Sequence, residues 1–187
     1  MTSEEIASVI KELFDSASIQ SLAPGSWQIE TKDFRLLVLL SEDQSWLRIL
    51  IPIVSAQAAQ PFMEQLLEAN FDETQEARYA LHQGVVWGVF QHSSDLGKNA
   101  FSGAIARLLS LHHLGLSPLF EQLVESRIRQ IILVAKKQGQ SLEATLQNLD
   151  RFYEEGVIGE MEPGTSPEQA LAAWRRQLER FWPEVEA

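Results

Sequence analysis

The four histidines, His82, His92, His112 and His113, are the side chains in this sequence best suited to bind a metal ion or to transfer protons. His112 and His113 are adjacent, so on a helix they point about 100° apart and cannot chelate one ion as a pair spaced by four residues does. His82 precedes a predicted hairpin turn, and His92 lies about seven residues further along the next strand, or roughly 23 Å away. The sequence therefore predicts no metal site.

Motifs for nucleophilic catalysis or phosphate binding are absent from the sequence. It contains no cysteine, and no serine stands in a G-x-S-x-G context. Gly84 and Gly88 lack the third glycine or the following lysine of a nucleotide loop, so we interpret Gly84 as a turn residue and Gly88 as a packing or bulge position. Carboxylate neighbours such as Glu42 and Asp43 fall in predicted turns, where surface charge is their ordinary role. We predict neither an enzyme nor a bound cofactor.

Composition and charge indicate a globular protein with few partners among polyanions. Of 187 residues, 45% are hydrophobic, and 15 basic against 26 acidic residues give a net charge of -11. So few cations disfavour nucleic acid and anionic membranes as partners. The longest apolar runs, at 36–40 and 47–54, are far shorter than the ~20 residues that span a bilayer, and the start of the chain is acidic. We expect a cytoplasmic protein without membrane insertion.

The first part of the chain alternates between helical and strand patterns. Thr2 and Glu5 have the spacing of a capping box, and apolar residues then recur with helical period. Three strands, a helix, a two-stranded hairpin and a further helix follow, at 27–30, 34–40, 46–54, 56–70, 77–82, 85–92 and 95–114. Residues 1–116 therefore spell α-β-β-β-α-β-β-α, which predicts an α+β domain with a mostly antiparallel sheet packed by helices.

Beyond residue 116 the pattern is helical throughout. Caps and apolar stripes predict three helices and one loop, at 117–139, 141–156, 166–183 and 160–165. We therefore divide the chain into an α+β domain at 1–116 and an all-helical extension at 117–187. Trp174, Leu178 and Phe181 form an apolar stripe on the last helix, which needs a surface to pack against.

The third strand is apolar on both faces. One face carries Leu47, Ile49, Ile51 and Ile53. Trp46, Arg48 and Leu50 fall on the opposite face, and Trp87 and Val89 of the hairpin extend it. Since an exposed apolar patch of more than roughly a few hundred Å2 usually marks an interface, we predict that these five residues bind a partner. The alternative is that the stripe of the last helix covers this face within the same chain.

One local match carries a family resemblance. The segment Met63-Glu-Gln-Leu-Leu-Glu-Ala-Asn-Phe71 leads into Tyr79-Ala-Leu-His-Gln-Gly84 and an apolar strand. With the element order of residues 1–116 in an acidic chain, it resembles the class I type III secretion chaperones and the YbjN-like proteins that share their fold. The resemblance implies an acidic dimer or dimer-like module that holds an extended partner segment on apolar surfaces without ATP. The extension at 117–187 departs from the secretion chaperones.

The function predicted from these observations is a non-enzymatic protein-binding module of chaperone or assembly-factor type. Its partner is a protein or peptide client, and by analogy we expect a homodimer. A second hypothesis is a scaffold or regulatory protein whose C-terminal helices bind the partner. A third is a small-ligand-binding protein or unrecognised hydrolase, with a cleft that gathers carboxylates with His82, His92 or His113.

Overall fold

The computed structural model describes residues 1–154 and 167–186. Its helices and strands are, in chain order, α1 Ser3–Leu13, β1 Ile19–Ala23, β2 Ser26–Glu30, β3 Arg35–Leu40, β4 Trp46–Ser55, α2 Ala56–Ala59, α3 Met63–Ala69, β5 Ala77–His82, β6 Val85–Ser93, α4 Lys98–Leu114, α5 Ser117–Lys137, α6 Leu142–Glu154 and α7 Pro167–Phe181. The chain divides into two compact units, Met1–Phe120 and Glu121–Ala187, and the division falls inside α5.

The strands form one antiparallel sheet in the order β1-β2-β3-β4-β6-β5. The predicted α+β class, with an antiparallel sheet, packing helices and C-terminal helices, is confirmed. The β5–β6 hairpin turns at Gln83 and Gly84, whose φ angles of 48° and 74° are those of a type I′ turn. That geometry suits the right-handed twist of the two strands, and it confirms the reading of Gly84 as a turn residue.

Two predicted features differ from the structure. A further strand, β1, precedes the predicted ones; all its residues except the half-buried Ile19 are exposed, so no alternation of apolar and polar residues marks it. The single helix predicted at 56–70 is divided into α2 and α3 by a 3-10 turn at Gln60–Phe62. Pro61 lies in that turn, because its ring and missing N–H do not fit the interior of a continuous α-helix.

The main core lies between one face of the sheet and helices α1 and α4. It includes Ile10 of α1, Ile49 of β4 and Phe101 of α4, none of which has more than a trace of exposed surface. The capping box at the start of α1 is present: Thr2 N–H donates to Glu5 Oε2 at 2.8 Å, and Glu5 N–H donates to Thr2 Oγ1 at 3.3 Å. This box fixes the start of the helix whose apolar side closes the core.

Gly88 of β6 lets α4 approach the sheet closely. A Cβ at this position would lie 3.1 Å from both Ile51 Cγ2 and Leu108 Cδ2, which is tighter than ordinary van der Waals contact. The reading of Gly88 as a packing position is therefore confirmed. Helix α3 packs near the same strand, where Leu66 and Ala69 meet Val86 in a smaller cluster. Val86 alternates with Gly88 along β6, so α3 and α4 pack on the same face of the sheet.

The second unit has a core of its own. Ile128 and Ile132 of α5 are buried with Leu178 and Phe181 of α7, and Trp174 packs against them. The apolar stripe predicted on the last helix is therefore buried, at Leu178 and Phe181, inside its own unit. The predicted helix end at Gly156, the loop at 160–165 and the cap at Ser166 lie outside the described residues.

Candidate partner-binding face of the sheet

The face of the sheet that points away from α1 and α4, called here the outer face, holds all five of the residues predicted to bind a partner. Trp46, Arg48 and Leu50 alternate along β4 with the buried Leu47, Ile49 and Ile51. Trp87 and Val89 alternate along β6 with Val86, Gly88 and Phe90. The two strands are paired so that Leu50 lies opposite Val89, and Pro52 lies opposite Trp87.

An apolar row crosses the middle of the outer face. Leu37 of β3 pairs with Leu50, and Leu50 pairs with Val89, so three strands contribute one side chain each at the same level. Trp87 has Pro52 on one side and Ala80 of β5 on the other. In an antiparallel sheet, side chains directly opposite each other are about 4.5–5.5 Å apart at Cβ, so these residues form a continuous apolar surface.

Side chains of the outer face stay out of the buried clusters. The three clusters found among residues 1–154 and 167–186 include no member from the outer face, although strands β3, β4 and β6 all contribute apolar residues of their other face. Trp46 is 37% exposed, and Leu37, Leu50, Trp87 and Val89 are intermediate in burial. The packing that stabilises the first unit therefore leaves this apolar face unused.

Arg48 gives one end of the outer face a positive charge. Its guanidinium donates from Nε and Nη2 to Gln91 Oε1 at 2.8 and 2.5 Å, and it lies 5.2 Å from the centroid of the Trp46 ring. Such a contact between a cation and an aromatic ring stabilises the two side chains beside each other. Trp87 is oriented at the other end by its Nε1–H, which donates to His82 O at 3.3 Å.

The β3–β4 turn, residues 41–45, fixes the start of the outer face. Trp46 N–H donates to Ser41 Oγ at 3.1 Å, and Asp43 Oδ1 accepts from Ser41 Oγ at 2.6 Å and from Ser45 Oγ at 2.8 Å. These hydrogen bonds favour the carboxylate, with that from the Ser41 side chain the largest cause, and they lower the pKa of Asp43 to about 2. The turn therefore depends on an ionised Asp43.

The two edge strands of the sheet differ in whether their outward main-chain groups are free to pair with an added strand. β1 is one edge, and among the described residues no strand pairs with its outer side. At the other edge Tyr79 N–H donates to Asn70 Oδ1 at 2.7 Å, and Asn70 Nδ2 donates to Tyr79 O at 3.1 Å. The Asn70 amide thus occupies the centre of β5, where an added strand would pair.

The histidines of the first unit lie apart from one another. His92 has one carboxylate, Asp95, at 3.8 Å, and His112 places its Nδ1 2.7 Å from Pro52 O and its Nε2 3.0 Å from Asp33 O. His113 is exposed on α4. Within residues 1–154 and 167–186, no three histidine, aspartate or glutamate side chains are grouped as a metal ion requires. In the same part of the chain, none of the helices combines the length and the apolar character of a membrane span.

Sequence reasoning missed part of this face. The predicted residues all lie on β4 and β6, whereas Leu37 and Leu39 of β3 and also Pro52 of β4 lie on this face. The signal was present, because every residue from 36 to 40 is apolar and alternation must put two of them on the outer face. Asn70 was noticed only as part of a family pattern, since its bond to Tyr79 depends on how the chain folds back.

Comparisons with known proteins give matches among solved structures only. The fold is similar to the HopA1–SchA chaperone–effector complex, with 12% sequence identity and a TM-score of 0.44 over 60% of this chain and 94% of that chain. It is similar to the ExsC–ExsE complex, with 16% identity and a TM-score of 0.47 over 60% of this chain and 95% of that chain. It is also similar to the heterodimeric ExoU–SpcU complex from the type III secretion system of Pseudomonas aeruginosa, with 16% identity and a TM-score of 0.46 over 64% of this chain and 97% of that chain. No family model matches the chain, and no curated protein matches it.

Proposed function

We propose that this chain is a cytoplasmic, non-enzymatic protein-binding module of chaperone or assembly-factor type, which holds a segment of a protein client on the outer face of the sheet. The observation that carries the proposal is the apolar row Leu37–Leu50–Val89, with Trp87 beside it, on a face that contributes nothing to the buried clusters. Apolar side chains of a client that bind there remove this surface from water, which is the main source of affinity in such complexes.

The ends of the face suit an extended client. Arg48 and Gln91 supply polar groups beside Trp46, and aromatic residues with arginine are enriched where protein interfaces are strongest. A client that also adds a strand would pair at β1, because Asn70 occupies the centre of the β5 edge. The resemblance of residues 1–116 to secretion chaperones implies the same class of function.

The test is capture of a stoichiometric partner from extracts of the source cells, with the full-length tagged chain and two single variants. Leu50→Asp places a charge in the middle of the apolar row, and Val134→Asp places the same charge on α5, where Val134 is 53% exposed. Circular dichroism and a thermal melt establish that both variants fold. The captured partner is then purified and its Kd for each protein is measured.

The proposal expects Leu50→Asp to weaken binding at least about tenfold, while Val134→Asp binds like the unmodified chain. The reverse result would transfer the function to the C-terminal helices, as in a scaffold or regulatory protein. Equal binding by all three proteins would exclude the outer face as the client site.

A further inference from the structure

Leu67 and Phe71 form an exposed apolar pair on the far side of the first unit, called here the Leu67–Phe71 patch. Leu67 on α3 is 71% exposed and Phe71, in the turn that follows, is 90% exposed. Phe71 is the fourth residue after Leu67, and Asn70 still has helical φ and ψ, so both side chains lie on the solvent side of α3. Because α3 packs on the face of the sheet opposite the outer face, this patch is independent of the proposed client site.

The exposure of Phe71 is not a result of a loose chain end. Asn70 is held by its two hydrogen bonds to Tyr79, and Thr74, which is buried, donates from its N–H to Ala69 O at 3.0 Å. Arg107 of α4 also donates to the main-chain oxygens of the same turn, at Glu73 and Thr74. A phenylalanine presented on a turn that is fixed on both sides loses little conformational freedom when a partner covers it.

Carboxylates outnumber basic side chains around the patch. Between Arg48 and Arg78 the sequence contains no lysine or arginine, and its five carboxylates all lie between residues 64 and 76. Glu64, Glu68 and Asp72 are exposed, and each lies within four residues of Leu67 or Phe71. Two arginines lie near the patch, and both direct their guanidinium groups to main-chain oxygens of the turn: Arg78 to those of residues 75 and 77, and Arg107 to those of Glu73 and Thr74.

The charges decide which partner fits. A symmetric contact between two copies would place these carboxylates against themselves in chains that already carry a net charge of -11. A segment with apolar side chains on one side and lysines or arginines beside them complements both features of the patch. We propose that the Leu67–Phe71 patch is a second docking site, which binds a basic amphipathic segment of a partner protein.

The experiment uses the full-length chain and a fluorescein-labelled amphipathic peptide of about 18 leucine and lysine residues, with a counterpart in which glutamate replaces lysine. Binding is measured by fluorescence anisotropy at low and high salt. The test variants are Leu67→Ser with Phe71→Ser, and Glu64→Gln with Glu68→Gln. The controls are Leu22→Ser, which is 56% exposed on the opposite edge strand, and Glu4→Gln with Glu42→Gln.

The proposal expects the lysine peptide to bind and its glutamate counterpart not to bind. Each test variant should weaken binding of the lysine peptide at least about tenfold, and high salt should weaken it by a similar factor. The control variants and Leu50→Asp should leave its affinity unchanged. Absence of binding, or equal loss in the controls, would overturn the proposal. So would sedimentation showing a dimer that Leu67→Ser with Phe71→Ser converts to a monomer, because a second copy would then occupy the patch.

Discussion

The side chain of Asn70 pairs with both main-chain groups of Tyr79, accepting from its N–H at 2.7 Å and donating to its carbonyl oxygen at 3.1 Å. One amide thus acts as a neighbouring strand residue would, and it links the end of α3 to the edge of the sheet. The same hydrogen bonds hold the turn that contains Phe71. Asn70 therefore stabilises both the edge of the sheet and the Leu67–Phe71 patch.

Asn70→Ala should therefore destabilise the protein and free an edge. It leaves the N–H and carbonyl of Tyr79 without their partner, at a cost of about 1–3 kcal/mol. The unpaired main-chain groups of Tyr79 at the β5 edge should also increase association between chains. Urea unfolding and sedimentation velocity measure the two effects, with the exposed Gln57→Ala as the control. An Asn70→Ala variant as stable as this control would show that water replaces the amide without loss.

The pH dependence of stability should contain a contribution from Asp43. Its pKa falls from 3.8 to about 2 in the folded protein, so its stabilising effect is fully present above pH 3.8 and is lost as pH falls through about 2. Asn at this position has no such titration. The stability difference between the unmodified chain and Asp43→Asn should therefore shrink between pH 5 and pH 2, measured by urea unfolding. A difference that stays constant over this range would contradict an ionised Asp43 as the centre of the turn.

Two glycines should respond to alanine in opposite directions. At Gly88 a methyl group meets Ile51 and Leu108 at 3.1 Å, so Gly88→Ala should destabilise by about 1–3 kcal/mol. At Gly103, inside α4, a Cβ meets nothing within 4 Å, so Gly103→Ala should stabilise by about 1 kcal/mol through helix propensity. Thermal or urea unfolding compares them. Equal effects would show that α4 does not approach β6 as closely as described.

Neighbouring residues of β4 should separate stability from binding. Ile49 has no exposed surface and lies in the main core, so Ile49→Ala should cost about 2–5 kcal/mol. Leu50 lies on the outer face, and Leu50→Ala should cost less than about 1 kcal/mol. Client binding should show the opposite order once the loss of folded protein is corrected for. A large loss of stability in Leu50→Ala would mean that the outer face is part of the core.

The parts of the fold that could be predicted are those in which the local order of apolar, polar and capping residues determines the structure. Alternation along β4 separated Ile49 from Leu50, and capping residues located the start of α1. β1 was missed because an edge strand with both faces largely exposed has no apolar period. The roles of Asn70 and of Leu37 at the candidate site depend on strand order and register, which pair residues far apart in the chain. Local pattern does not contain that information.

The far end of β4 continues beyond the paired part of β3, whose last pairing is Leu37 with Leu50. By the alternation of an antiparallel ladder, the main chain of Pro52 faces this unpaired side. Proline has no N–H to offer there, and the carbonyl oxygen of Pro52 already meets His112. A foreign strand that entered the gap would find neither a donor nor a vacant acceptor at this residue. At this step in the sheet Pro52 therefore opposes templated growth, which helps the molecule to keep an apolar face without forming fibres there.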